Sequence, residues 1–437
     1  MILFKDKEKT IALFMISIVI KVFLAIFHLL FFNWEIFPSF PWDQLIIGTI
    51  EPYLDYKLSY KTFAEAFIYQ DWVPYVLEVS DPILSSYVYP PLFLYAISLP
   101  ALLSTDLVFI PLLLADVLSP IVIYRFLDRS HGKEVAHWGL VATALCPFSI
   151  FYNSGLLFNT SLVMLFFILS LYLIYIERFK WATVVLAVAF LFKQIVLFFI
   201  IPVLLFISLK STEDTQALLP SLVLVGKHII IFLCTFFVGS LPWILIGPEE
   251  YLGTLFMGQQ ITFSPSFVAP AMTWPVHWYD FLIELNAPYW VIYIVGFLNF
   301  TMFGLILVQL ANICLLIRWY LKNSLFWDNF LNLIVYNAVL NHLFLPRGVY
   351  KYYFTILVPL IVLWIGFNLT PLISSPHSQK KIFLIFTMVS LTLLFVHRLF
   401  YLLILWIILF YMSKHNLKYR HLTNQRSPLT MEIGRLI

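Results

Sequence analysis

The chain has 437 residues, of which 62% are hydrophobic and 11% charged, with a mean hydropathy of +0.93. A soluble domain runs nearer half apolar and about a quarter charged, so a water-soluble fold is excluded and the chain must use lipid as its solvent. The formal net charge of +3 informs through its distribution rather than its size. Cys146, Cys234 and Cys314 all lie in apolar segments, which implies no disulfide framework.

The chain opens with Lys5, Lys7 and Lys9 ahead of an apolar run over 11–32. That run exceeds a signal-peptide core of about 7–15 residues, and no small-residue cleavage site follows. It reads as a retained first span with a cytoplasmic start.

Residues 33–87 then form a long acidic loop. It carries Glu35, Asp43, Glu51, Asp55, Glu65, Asp71, Glu78 and Asp81 against Lys57 and Lys61, and it closes on the proline-rich run 87–95. Within it, Tyr56, Leu58, Phe63, Ala64, Ala66 and Phe67 line one side of an interfacial amphipathic helix. Asp55 falls at the start of that helix, where backbone N–H groups favour a carboxylate. A capping aspartate on a surface helix would look the same.

Further apolar runs follow at 106–127, 137–152, 156–176, 181–192, 194–209, 228–246, 290–318, 323–345, 350–368 and 382–412. Several fall short of the roughly 20 residues that cross about 30 Å of hydrocarbon. Short pairs meeting at a polar break bring backbone and polar groups to a buried cavity. Two such breaks are Tyr152-Asn153-Ser154-Gly155 and Lys193-Gln194.

Basic residues in short loops set the orientation. Arg129, Lys133, Arg178, Lys180, Lys210, Lys227, Arg318, Lys322, Lys380 and Lys381 mark cytoplasmic turns, as does the tail 413–437. The acidic loop is then external, and so is 247–289, which holds Glu249, Glu250, Asp280 and Glu284 without Lys or Arg.

Parity allows one crossing between loop 33–87 and the turn near Arg129, and 106–127 supplies it. Residues 88–104, with Pro90, Pro91 and Pro100, therefore lie along or dip into the external face. The run 382–412 reads as a hairpin turning at His397-Arg398, the alternative being one long helix with an external tail.

The expected fold is thus all-α, a single polytopic membrane domain over 1–437 with about 11–13 spans. Its parts are an external catalytic loop at 33–104 with interfacial helices, a second external loop at 247–289 and a basic cytoplasmic tail. Ser80→Cys and Thr105→Cys, introduced singly, should both react with an impermeant thiol reagent added outside. Labelling of Thr105→Cys only after permeabilisation would overturn this topology.

Neither common glycine-rich phosphate loop is present, and nothing points to a nucleic-acid partner. An enzyme built this way draws its activated group from the membrane. Asp55 is the leading carboxylate. Asp116 lies inside a span, where an ionisable group is a functional candidate by default, or a structural bond to a neighbouring helix. Lys193 sits in apolar sequence as a candidate anion ligand, or as a lysine snorkelling to headgroups. Arg347 and Lys351 stand at the external end of a span and break the positive-inside pattern, which suits an anion or ordinary lipid headgroups. Asn153, Asn159, Gln259 and Gln260 are polar groups that could meet sugar hydroxyls. Asn159-Thr160-Ser161 and Asn368-Leu369-Thr370 match the glycosylation pattern but lie against apolar sequence.

Taken in order, these residues resemble the multi-spanning glycosyltransferases of the GT-C superfamily. Within it the chain looks like the branch holding the first mannosyltransferase of GPI-anchor synthesis and its prokaryotic polyprenyl-phosphate-mannose relatives. The family's Asp-x-Asp-Tyr pattern falls on Tyr53-Leu54-Asp55-Tyr56, a small-Pro-Tyr step on Val73-Pro74-Tyr75, and a Tyr-x-Pro-Leu step on Tyr89-Pro90-Pro91-Leu92. An intramembrane Asp followed by Tyr-Arg falls on Asp116 and Tyr124-Arg125. A Lys nine residues before a Pro falls on Lys193 and Pro202, and a basic residue before Tyr-Phe on Arg347 and Tyr353-Phe354.

The resemblance implies transfer of a hexose, mannose first among them, from a polyprenyl or dolichyl phosphate to a lipid-linked, glycan or protein acceptor outside the cytoplasm. Asp55 would be the base of an inverting single displacement. Lys193, Arg347 and Lys351 would bind the donor phosphate, with Asp116, Asn159, Tyr56 and Tyr353 as secondary polar groups. It implies no organic cofactor, and one carboxylate makes a poor metal site. The membrane would be the plasma membrane in a prokaryote and the endoplasmic reticulum in a eukaryote. One departure is Tyr53 in place of the family's first Asp. It leaves open Asp55 acting alone, or a catalytically silent subunit with a small membrane partner. A lipid or solute transporter would also use Asp116 and Lys193, but no repeated halves are visible.

Overall fold

A computed structural model describes residues 2–32, 59–75, 84, 87–213, 217–257, 282–283, 285–300, 303–344, 351–372, 375–396, 401 and 403–410. Asp55, Tyr56, Arg347, Gln259, Gln260 and the tail after 410 lie outside them. The described residues are mostly helical, with no strand among them. Helices are the form the sequence demands, because lipid offers no partner for an open backbone N–H or C=O.

In chain order the helices are α1 (Ile2–Phe27), α2 (Lys61–Tyr69), α3 (Pro91–Ala101), α4 (Ile110–His131), α5 (Lys133–Ala144), α6 (Thr160–Tyr175), α7 (Phe179–Phe192) and α8 (Leu197–Lys210). They continue with α9 (Leu218–Ile246), α10 (Pro248–Met257), α11 (Tyr289–Phe300), α12 (Phe303–Leu321), α13 (Trp327–Phe344), α14 (Phe354–Trp364) and α15 (Pro376–Phe395).

Among the described residues, five helical stretches are long and apolar enough to cross a membrane: Glu8–Leu30, Thr105–His131, Leu218–Ile246, Lys351–Leu369 and Ser378–Phe395. A sixth candidate is the pair Lys133–Ala144 and Ser149–Gly155, bent by 56° at a short break. Shorter apolar helices fill out the bundle, α6, α7 and α8 among them. The eleven apolar runs of the sequence therefore do not map onto eleven long straight helices. Polar breaks cut several of them short, notably at Asn153 and at Lys193. The chain is an all-α, polytopic membrane protein.

Burial ranks the helices. The stretch Lys351–Leu369, which contains α14, is buried over 89% of its apolar length, whereas Glu8–Leu30 and Leu218–Ile246 are buried over 22%. α14 is the central helix, and α1 and α9 face lipid on most sides. It packs on α5, α6 and α13, while α9 packs on α7 and α8.

Gly132 joins α4 to α5 at φ +85°, a left-handed conformation that glycine adopts without strain. Its N–H closes α4 on Asp128 O at 3.2 Å. Leu127 fits a notch between Gly139 and Gly366, where an added Cβ would meet its methyl groups at 2.2 and 2.4 Å. Small residues give membrane helices this close approach.

Helix α3 has 11 residues, about 16 Å at 1.5 Å per residue, well short of a bilayer. It buries Phe93, Leu94 and Ile97 and exposes Leu99, Leu102 and Leu103 beyond them. The run 382–412 is not one continuous helix, because α15 ends at Phe395 and Val396 is extended at ψ 152°.

Candidate functional site

Lys193 stands where α7 ends. Its backbone turns extended, at φ −163° and ψ 137°, before a single helical turn over Gln194–Val196 starts the next helix. This break leaves a charged residue in the interior of an apolar bundle. Lys193 is 4% exposed, so it does not snorkel to headgroups. Its Nζ donates to Asn159 Oδ1 at 2.9 Å. It also faces three aromatic rings, at 5.0 Å from Tyr353, 5.4 Å from Tyr352 and 5.9 Å from Tyr89. Within about 6 Å the negative face of a phenol ring attracts a cation, the more so when both are dry. Asn159 is 1% exposed, and its Nδ2 has no hydrogen-bond partner among the described residues.

The segment 87–90 is stitched against this break. Gln194 Nε2 donates to Val88 O at 2.5 Å, and Tyr75 Oη donates to Tyr89 O at 2.5 Å. Tyr87 Oη donates to Pro90 O at 3.3 Å. Tyr75 holds φ +76°, a conformation uncommon for a bulky residue and kept only where the surroundings fix it. Those surroundings are Tyr87, Trp243 and Tyr251, each edge-on to its ring at 4.9–5.5 Å between centroids. Burial pushes the Tyr75 and Tyr87 phenols well above their ordinary range, so both remain O–H donors. This aromatic block docks residues 59–75 and 87–95 on α9 and α10. Helix α2 buries Phe63, Ala64 and Ala66 within it, the apolar side the sequence indicates.

Asp116 is built differently. It is fully buried on α4, and every polar atom of its carboxylate is engaged. Oδ2 lies 2.8 Å from Lys21 Nζ on α1 and accepts from Ser154 Oγ at 2.7 Å. Oδ1 accepts from Ser149 Oγ at 2.6 Å and Asn153 Nδ2 at 3.0 Å. Asn153 Oδ1 then accepts from Thr160 Oγ1 at 2.9 Å, and Thr355 Oγ1 lies 2.9 Å from that hydroxyl. The network runs from α1 to α14 through the π-helical turn Ser149–Gly155. A closed set of partners marks Asp116 and Asn153 as structural.

Among the sequence-derived candidates, Lys193, Asn159 and Tyr353 come together. Lys351 is 1% exposed but sends its ammonium to the other side, onto Leu394 O at 3.2 Å and Val396 O at 2.5 Å, with the Tyr401 ring 5.6 Å away. Asp116 joins Lys21 instead. Asn368, 8% exposed, is bonded to Asn332 and the Trp364 carbonyl, so both glycosylation-like asparagines are inside the bundle.

Lys21 escaped the sequence reading. Lys21 carries a signal, since it is an intramembrane cation that must find an intramembrane anion. Tyr89 is read in the sequence only as part of the Tyr-x-Pro-Leu step, and Tyr352, beside the candidate Tyr353, carries no signal of its own because aromatic residues are everywhere in this chain. Among the described residues no group of three or more His, Cys, Asp or Glu side chains could hold a metal.

No family model matches the chain, and a search of curated proteins finds no match. Among solved structures it is similar to the crystal structure of the Archaeoglobus fulgidus oligosaccharyltransferase complex with Zn and sulfate. The identity is 14%, the similarity covers 86% of this chain and 51% of that one, and the TM-score is 0.38. The chain spans about half the length of that protein.

Proposed function

We infer that the chain is a membrane glycosyltransferase of the GT-C kind. It moves a hexose, mannose first among the candidates, from a polyprenyl or dolichyl phosphate to a lipid-linked or protein acceptor on the external or lumenal face. The observation that carries this reading is the Lys193 site. It presents a buried ammonium caged by Tyr89, Tyr352 and Tyr353, with the unpartnered Asn159 Nδ2 beside it. Two N–H donor groups in a low-dielectric setting suit an anionic oxygen. The order of sequence motifs from Tyr53 to Phe354 supplies the reaction class.

In the proposed step the acceptor hydroxyl attacks the anomeric carbon while the bond from that carbon to the phosphate oxygen breaks. Asp55 takes the hydroxyl proton as general base. The phosphate leaves as an anion with the electron pair of the broken bond, so it needs charge stabilisation rather than a proton. Lys193 provides that stabilisation, preorganised by its ring cage. Arg347 is assigned to the same phosphate from its place in the sequence. Lys351 would join only after leaving its two carbonyl partners, which ranks it last.

The test is transfer from radiolabelled polyprenyl-phosphate-mannose to lipid and protein acceptors in proteoliposomes of the full chain. Lys193→Met should lower the rate by about 10²–10³-fold, the usual cost of one preorganised donor. Lys193→Arg, which keeps the charge and stacks on rings, should retain part of it. A folded Lys193→Met protein with near wild-type transfer would remove the central support for this assignment.

A further inference from the structure

A second polar cluster lies in the seam where α8, α12 and α13 meet. Asn337 is fully buried there, and its Nδ2 donates to Phe198 O on α8 at 2.6 Å. Its Oδ1 accepts twice, from Asn341 Nδ2 at 3.1 Å and from Gln309 Nε2 at 3.2 Å. Two amides, one from α13 and one from α12, thus converge on a single oxygen.

Each of those amides keeps its own oxygen unspent. Asn341 Oδ1 and Gln309 Oε1 are buried with no hydrogen-bond partner among the described residues. Asn312, one turn from Gln309 on the same face of α12, leaves its Nδ2 in the same condition and is 6% exposed. The seam therefore offers two acceptors and one donor inside an apolar bundle, where an unmet polar group is costly. The Asp116 network shows the contrast, since there every carboxylate lone pair in reach is taken.

The amides of the seam carry no charge themselves. Along the two helices the nearest charged residues are Arg318, about 9 Å from Asn312, and Asp328, about 13 Å from Asn337, at 1.5 Å per residue. An ammonium would need a carboxylate and a phosphate would need more donors. A hydroxyl needs neither, because it gives one hydrogen and accepts another. Phe198 follows Lys193 by five residues and lies in the first turn of α8, just past the break.

We propose that Gln309, Asn312 and Asn341 form a subsite for a neutral hydroxylated ligand, a sugar ring or polyol. Its O–H groups donate to Gln309 Oε1 and Asn341 Oδ1, and one of its oxygens accepts from Asn312 Nδ2. The subsite stands independently of the assignment of Lys193.

Saturation-transfer NMR on the full chain in lipid nanodiscs tests this with methyl α-D-mannopyranoside and myo-inositol as probes. Wild-type protein should saturate at least one of the two, and 2-methoxytetrahydropyran, which has no hydroxyl, should not compete. Gln309→Met, at a half-buried position, and Asn341→Leu should each weaken binding about tenfold, as loss of roughly 1.4 kcal/mol implies. Thr235→Val on α9, whose hydroxyl bonds only its own helix at Ile231 O, should leave binding unchanged. No saturation by the wild type, or saturation that survives Gln309→Met in a folded protein, overturns the proposal. The amides would then serve helix packing alone, whatever the Lys193 transfer assay shows.

Discussion

Asp55→Asn should abolish sugar transfer while the protein folds and still binds its lipid-phosphate donor. The two side chains are nearly isosteric, so local packing is spared, but an amide does not take up a proton at neutral pH. General base catalysis is typically worth about 10²–10⁴-fold, so the loss should approach the floor of the assay. Asp43→Asn and Asp81→Asn should be far milder, since Asp81-Pro82 reads as a turn. Donor binding, followed by protection of the full chain against thermal unfolding, should survive Asp55→Asn but not Lys193→Met. That split separates proton transfer from phosphate recognition. Were Asp71→Asn or Glu65→Gln to destroy transfer while Asp55→Asn kept it, the base would be another carboxylate of the same loop. Were no carboxylate in 33–87 needed and no donor consumed, the silent-subunit reading prompted by Tyr53 would replace this one.

Composition and apolar run lengths were enough to read an all-helical membrane fold, because lipid leaves few structural options. The polar break at Lys193-Gln194 was also legible, since a lysine surrounded by Phe, Leu and Ile must have a reason. What surrounds Lys193 was not. Tyr89 and the adjacent Tyr352 and Tyr353 come from two segments far apart in the chain, and in a sequence with 19% aromatic residues their motifs do not say that these rings meet around Lys193. The sequence likewise set Lys193 and Lys351 together as phosphate ligands. Their Nζ atoms take separate partners, because the short helical turn Lys351–Tyr353 sends successive side chains in different directions. The amides of α12 and α13 went unread for a simpler reason. An amide side chain in a membrane helix is an ordinary device for holding helices together, and only the folded arrangement leaves the Asn341 and Gln309 carbonyl oxygens without partners among the described residues. Asp116 was visible as an intramembrane acid, but not its choice of Lys21, 95 residues away.

Either half of the Lys21–Asp116 pair should be expensive to remove alone and cheaper to remove with the other. Lys21 is 1% exposed and Asp116 is fully buried, and the ammonium also reaches Asp116 O at 3.2 Å and Ser149 Oγ at 3.4 Å. Asp116→Asn leaves an ammonium in hydrocarbon without its counterion. Lys21→Met leaves a carboxylate there, supported only by the Ser149, Asn153 and Ser154 donors. Breaking a buried pair from one side costs about 3–5 kcal/mol, and each single substitution should lower the thermal stability of the detergent-solubilised chain accordingly. In the double variant Lys21→Met/Asp116→Asn no formal charge remains, and the new amide still offers Oδ1 to Ser149 or Asn153. Its loss of stability should be smaller than the sum of the singles by about 1–3 kcal/mol, the coupling expected of residues in direct contact. α1 is mostly lipid-facing, and this pair is its strongest polar tie to the bundle among the described residues. The singles should therefore expose α1 to proteolysis before the rest of the protein, and the double variant should restore protection. Additive effects, each below about 1 kcal/mol, would mean that the pair is solvated in the membrane and does not hold α1 in place.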